Sequence, residues 1–274
     1  VLFVIAVVLF VALWTRLTLR NLARQPLLRR RNYRGEEVIG SAGLAICSAS
    51  LLGWFLLSWW GELRWEESAL LMATAFWFSV LGLMDDLASE TQVKGFRGHL
   101  SVLLKERRLT MGMVKAIGGG LGALLLSAWA MRALGQFRWE RWLLGATLIA
   151  LSANALNLLD VRPSRALKGF WLLSLVGIGV AQGDGWLALV PLWTGTLAYA
   201  PDDFRRKAML GDAGSNPLGA CFGVWVMLHW MPATQLVLLL ALMGFHLYAE
   251  RRSLTADMER VGFLSWLDRW GVSP

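Results

Sequence analysis

Cysteine, histidine and charge are all scarce in this chain, and each scarcity excludes something. Two cysteines and three histidines among 274 residues leave no disulfide framework and no Cys/His spacing for a zinc site. Cys47 and Cys221 fall inside apolar stretches and read as small core residues. Only 17% of the residues are charged and 56% are hydrophobic, more apolar and less charged than a soluble globular domain. No stretch is polar and long enough for a large water-soluble domain. What the chain has instead is apolar runs near the ~20 residues that cross a hydrocarbon core of ~30 Å. It also has sixteen tryptophans, a residue that favours the membrane–water boundary.

These runs predict an all-α, polytopic transmembrane helix bundle of about nine spans, near 1–15, 38–60, 67–84, 112–134, 139–159, 166–182, 184–200, 213–230 and 233–250. The opening run, Val1 to Leu13, has no basic region before it and no small-residue cleavage site after it, so it reads as a helix rather than a signal peptide. Placing the loops after spans one, three, five and seven on one side, with the C-terminal tail, puts 23 of the 27 Lys and Arg residues there. The positive-inside rule makes that side cytosolic, with the N-terminus outside and the C-terminus inside. The net charge of +8 is therefore read as topology in a bacterial cytoplasmic (inner) membrane, with no nucleic-acid partner. Residues 1–250 form the transmembrane domain in this reading. Residues 251–274 form a cytosolic tail whose spacing of Leu254, Met258, Val261, Leu264 and Leu267 predicts one or two amphipathic helices on the membrane surface.

Four polar motifs fall on the predicted cytosolic side. Asp85 and Asp86 end span three, where the negative end of the helix dipole makes two adjacent carboxylates call for a cation or a lysine. Asn154, Asn157 and Asp160 end span five at i, i+3 and i+6, so neighbours stack along one side of the helix. Amides so placed must face protein or a cavity, and glue between helices is their plainest use. Gly211, Asp212, Gly214 and Ser215 lead into span eight, where free N–H groups at a helix start suit phosphate. Lys94, within Lys94-Gly95-Phe96-Arg97-Gly98-His99, would neutralise a diphosphate. Taken singly, the motifs read equally as solvated span ends, a capped helix start and positive-inside charge. Their convergence on one face suggests a site where a soluble anionic donor meets a lipid headgroup.

In order and spacing the Asp-Asp, Asn-x-x-Asn-x-x-Asp and Gly-Asp-x-Gly-Ser motifs resemble those of the polyprenyl-phosphate N-acetylhexosamine-1-phosphate transferases (glycosyltransferase family 4). That superfamily includes phospho-N-acetylmuramoyl-pentapeptide transferase and undecaprenyl-phosphate N-acetylglucosamine-1-phosphate transferase. The resemblance runs roughly from Asn32 to Glu250. It implies a polyprenyl phosphate and a UDP-sugar as substrates, release of UMP and dependence on Mg2+ (or Mn2+), and it allows a homodimer. It also implies catalytic roles for Asp85, Asp86 and Asp212, with Asp212 and Asp86 at the metal. Lys94, Asn154, Asn157, Asp160, Gly211, Gly214 and Ser215 would then bind substrate.

The chain departs from the muramoyl-pentapeptide enzymes in two places. Asp160 is followed by Val161-Arg162-Pro163-Ser164 rather than by Gly-Leu-Asp-Gly, so a second carboxylate is missing. The stretch around His246 holds one histidine where those enzymes have several. A catalytically silent membrane scaffold of envelope assembly and a transporter of lipid-linked sugars are the alternatives. The common-site expectation is that Asp86, Asp160 and Asp212 lie within about 15 Å of one another, a phosphate–metal site spanning a few coordination distances.

Overall fold

The computed structural model describes residues 1–88, 110–135 and 137–273. Lys94 and the rest of its motif lie outside them. Among the described residues, nine helices of fifteen residues or more follow one another. They are α1 (Leu2–Leu22), α2 (Gly43–Trp59), α3 (Trp65–Leu87), α4 (Met111–Ala133), α5 (Trp139–Leu159), α6 (Arg165–Val180), α7 (Val190–Phe204), α8 (Asp212–His229) and α9 (Pro232–Arg251). Two short helices, α10 (Leu254–Arg260) and α11 (Gly262–Arg269), follow. Five of the nine, namely α1, α3, α4, α5 and α9, are long and apolar enough to cross a membrane. Their outward faces carry large apolar side chains, such as Leu9, Leu13, Leu125, Val237 and Leu240. Such a surface is expected against lipid and is far larger than water-soluble monomers expose.

Helix α8 is the axis of the bundle. Every residue from Ala213 to Met227 is buried, and the helix packs most extensively on α5 and α3. It begins in contact with α2, where a Cβ on Gly43 would collide with the Gly214 backbone. Small residues of this kind let two backbones approach closely. At the far end Trp225 donates its indole N–H to the Gly185 carbonyl at 2.7 Å, and His229 pairs with Glu67 of α3 at 2.7 Å.

Two predicted spans differ in form. The second was expected to begin near residue 38, but Glu37–Ile39 is a strand, β2, paired antiparallel with β1 (Arg29–Arg31). Val38 and Ile39 read as the start of an apolar run, yet β-branched pairs equally suit a strand. The hairpin turns at Asn32, whose side-chain oxygen accepts the Arg34 and Glu36 N–H groups. Beyond it, the Met209 N–H donates to Ile39 and the Ala42 N–H donates to Met209. The lead-ins to α2 and α8 thus run side by side. The seventh span opens as a 3-10 turn, Gly185–Leu189, before α7.

The tail folds back rather than extending away. Buried Arg165 at the start of α6 pairs with Asp268. Lys168 donates to the carbonyls of Leu267, Asp268 and Trp270, capping the C-terminal end of α11 as cations do. Phe263, Trp266 and Trp270 remain exposed.

Candidate active site

The ends of α3 and α5 meet the start of α8. Asp85 and Asp86 occupy the last turn of α3, Asp160 follows α5 and Asp212 is the first residue of α8. Asp86 reaches across to α8: Oδ1 accepts the Asp212 N–H at 2.9 Å. Its Oδ2 accepts the Ala213 N–H at 3.1 Å and the Ser41 hydroxyl at 2.8 Å. A helix start leaves its first N–H groups unpaired, and here a carboxylate from another helix satisfies them. The N–H groups expected to receive phosphate are therefore occupied. Asp86 acts as a cap with both oxygens engaged, accepting three hydrogen bonds in all.

Glycine makes this docking possible. Gly211 has φ of +72°, a conformation that disfavours a side chain, and a Cβ there would lie 2.7 Å from the Asp86 Oδ2. Gly82, one turn before Asp86, touches the Asp212 backbone, where a Cβ would collide with its carbonyl. Gly214 faces Gly43 of α2, where its small size serves helix packing. Ser215 is buried and donates to the Gly211 carbonyl at 3.0 Å, so its hydroxyl belongs to the first turn of α8.

Asp212 points the other way, toward α4 and α5. Its Oδ1 accepts from the Asn157 amide at 2.6 Å, and that amide also lies 3.2 Å from the Ser215 hydroxyl. Its Oδ2 pairs with the Lys115 ammonium, and the same ammonium lies 3.1 Å from Asp85 Oδ2. One cation thus bridges a carboxylate of α3 and a carboxylate of α8. All three side chains keep about a quarter of their surface exposed, so solvent reaches the pair.

Asp160 completes the cluster. Packing around it, with Asp203, Asp212 and Asp86 nearby, pushes its carboxyl well above the usual carboxylate range, against the opposing pull of the Gly211 N–H. Asp160 keeps part of its surface exposed, but partial desolvation and the negative neighbours both favour the protonated form. Asp203, near the end of α7, accepts the Ser164 N–H at 2.7 Å, fixing a loop in which Ser164 has φ of +71°. Asn154 does not join: it is exposed on α5 and makes no side-chain hydrogen bond among the described residues. Asp86, Asp160 and Asp212 are accordingly gathered, with Asn157, Gly211 and Ser215.

Sequence reasoning missed Lys115, Ser41 and Asp203. Lys115 was counted only as one basic residue among many. The signal was available: two acids at a helix end need a counter-charge, and Lys115 sits one turn inside the next described helix. Nothing in the sequence marked Ser41 or Asp203.

Among the described residues, no group of three or more His, Cys, Asp or Glu side chains surrounds a common metal position. Magnesium, however, is commonly held by one or two carboxylates together with substrate phosphates. Asp85 and Asp212 meet that condition, since their oxygens face a single cationic position taken by the Lys115 ammonium. They fit a hard cation that arrives with an anionic ligand. No family model matches the chain, and no curated protein matches it.

Proposed function

We propose that this chain transfers a sugar-1-phosphate from a UDP-sugar to a polyprenyl phosphate, releasing UMP, as the transferases it resembles do. In this proposal nine helices span a bacterial cytoplasmic membrane, and the α3–α5–α8 junction lies at the cytosolic face. The observation that carries it is the bridge from Asp85 through Lys115 to Asp212. It is a partly exposed pair of acids bridged by the Lys115 ammonium, where three helix ends meet.

A phosphate oxygen of the lipid attacks the β-phosphorus of the donor. A new P–O bond forms, the bond to the bridging oxygen breaks, and UMP leaves with that electron pair. Such transfers need positioning and charge stabilisation more than covalent help from the protein. Lys115, on a flexible stem, can leave the carboxylates and follow the developing charge on the leaving phosphate. Asp212 then faces the site with one oxygen held by Asn157, and the ionised Asp85 carboxylate is the base placed to take a proton from the lipid phosphate. Magnesium or manganese, held by Asp85 and Asp212, would supply electrostatic stabilisation of the diphosphate. Asp86 works at one remove, by fixing the start of α8.

The silent-scaffold reading also has an observation behind it. The acids are already satisfied by Lys115 and by the α8 N–H groups, and Pro163 stands near the position of the missing carboxylate. Purified protein supplied with polyprenyl phosphate, a panel of UDP-sugars and magnesium separates the two. UMP release abolished by chelation and restored by magnesium, but not by zinc, is the expected result. No release with any donor would favour the scaffold.

A further inference from the structure

A second basic site lies on the other side of the hairpin. Arg30 in β1 turns toward the acids, donating to the Asp86 carbonyl through Nε at 3.2 Å and a terminal nitrogen at 2.9 Å. Successive side chains of a strand point to opposite faces, so Arg29 faces away from that cluster. There it lines a cavity of about 300 Å³ with Arg16 and Arg20 of α1, Lys207 after α7, and the acids Glu37 and Asp202. Four cations stand against two carboxylates. Arg16 pairs with Asp202 and Arg29 lies 3.9 Å from Glu37. Arg20 and Lys207 make no ion pair or side-chain hydrogen bond among the described residues.

The surroundings say what kind of anion would enter. Leu2, Ile5, Leu9 and Leu13 are exposed on α1, and their spacing of three and four places them on one face of the helix. Arg16 and Arg20 continue the same spacing. An apolar stripe therefore runs the length of α1 and ends in the arginines of the cavity. The buried residues Val7, Val11, Thr15 and Leu19 hold another face against the bundle. A free phosphate would use the cations and leave the stripe bare. A lipid uses both, with its chain on the stripe and its phosphate between Arg20 and Lys207. Basic pockets beside membrane helices hold anionic headgroups in this way.

We infer that this cavity binds the phosphate headgroup of a membrane lipid whose chain lies along α1. The hairpin stands between this lipid and Asp86, so it is separate from the lipid of the proposed reaction. The inference rests on membrane placement and not on the transferase reading.

Native mass spectrometry of the purified full chain in detergent tests it without nucleotide sugar or turnover. Phosphatidic acid and phosphatidylglycerol present a phosphate monoester and diester, phosphatidylcholine is the zwitterionic comparison, and inorganic phosphate is the soluble competitor. One anionic lipid should stay bound, with phosphatidylcholine bound more weakly and inorganic phosphate unable to displace it. Arg20→Gln combined with Lys207→Gln should weaken binding at least about tenfold, the scale of one charge-assisted contact. Lys207→Gln alone, in a bend outside the helices, should show the same direction with the fold undisturbed. Arg251→Gln, which does not line the cavity, should change nothing. Wild-type binding by both pocket variants, equal retention of phosphatidylcholine, or displacement by inorganic phosphate would each overturn the inference. Tighter binding of phosphatidic acid would assign a monoester site, and tighter binding of phosphatidylglycerol a diester site.

Discussion

Helix α3 gives α8 a carboxylate at both ends, and the two ends are built differently. At the C-terminal end of α8, Glu67 meets His229 as one pair, 13% and 16% exposed, and the Gln235 amide donates to the carbonyls of Val226, Met227 and Trp230. Glu67 and His229 there satisfy each other, as stability alone requires. At the N-terminal end Asp86 already provides the cap, yet four more acids, Asp85, Asp160, Asp203 and Asp212, stand close by; among the described residues Lys115 pairs with Asp85 and Asp212, and Lys168 lies near Asp203. Acidic charge beyond what a helix end needs is costly. Structures that carry such a surplus commonly use it for chemistry.

The comparison breaks first at Asp212. Asp212→Asn keeps size and the bond to Asn157 but removes the charge facing Lys115. UMP release should fall at least about a hundredfold, the scale of losing one key electrostatic group, with the helix content unchanged by circular dichroism. Asp184→Asn, in the turn before α7, should leave release at the wild-type level. Gly82→Ala should act on packing: its Cβ meets the Asp212 carbonyl. Overpacking of this kind costs roughly 1–3 kcal/mol, read as a lower unfolding midpoint together with a loss of activity.

Asp86→Ala leaves the Asp212 and Ala213 N–H groups without their cap and should cost about 2 kcal/mol. Asp86→Asn keeps an acceptor oxygen and should restore most of that stability. A metal ligand would respond differently, losing activity equally in both variants. The smallest effect belongs to the far end. Glu67→Gln should lower stability by about 1 kcal/mol or less and leave turnover unchanged. A large fall in turnover there would remove the contrast between the two ends.

How much was readable depended on whether the signal was local. The fifth and eighth helices, expected over 139–159 and 213–230, are observed at Trp139–Leu159 and Asp212–His229, because an apolar run bounded by charge or glycine carries its own limits. The first helix was expected to stop near residue 15 and continues to Leu22; an apolar window ends at Arg16, while the helix does not. The meeting of Asp86, Asp160 and Asp212 was legible, since each sits at the end of a span on one predicted side. What each does there was not. The capping role of Asp86 was hidden because nothing in Gly82-Leu83-Met84-Asp85-Asp86 says which acid turns toward α8. That choice depends on how closely Gly82 lets α3 approach, a property of the packed pair. Lys115 and Asp268 were hidden for a related reason: their partners, Asp212 and Arg165, lie 97 and 103 residues away.

The contact between Gly43 and Gly214 has a consequence for motion. Where two backbones touch, no side chain stands between them to change rotamer and let one helix slide on the other. The Ala42 and Gly43 N–H groups also donate to the Met209 and Leu210 carbonyls, so the start of α8 and the start of α2 should move together. Slow opening would fall to the periphery, to α9 with only Gln235 and Leu242 buried and to the tail. Amide exchange should then divide the chain, with the protons of α8 exchanging only on global unfolding and those of α10 and α11 exchanging through local release.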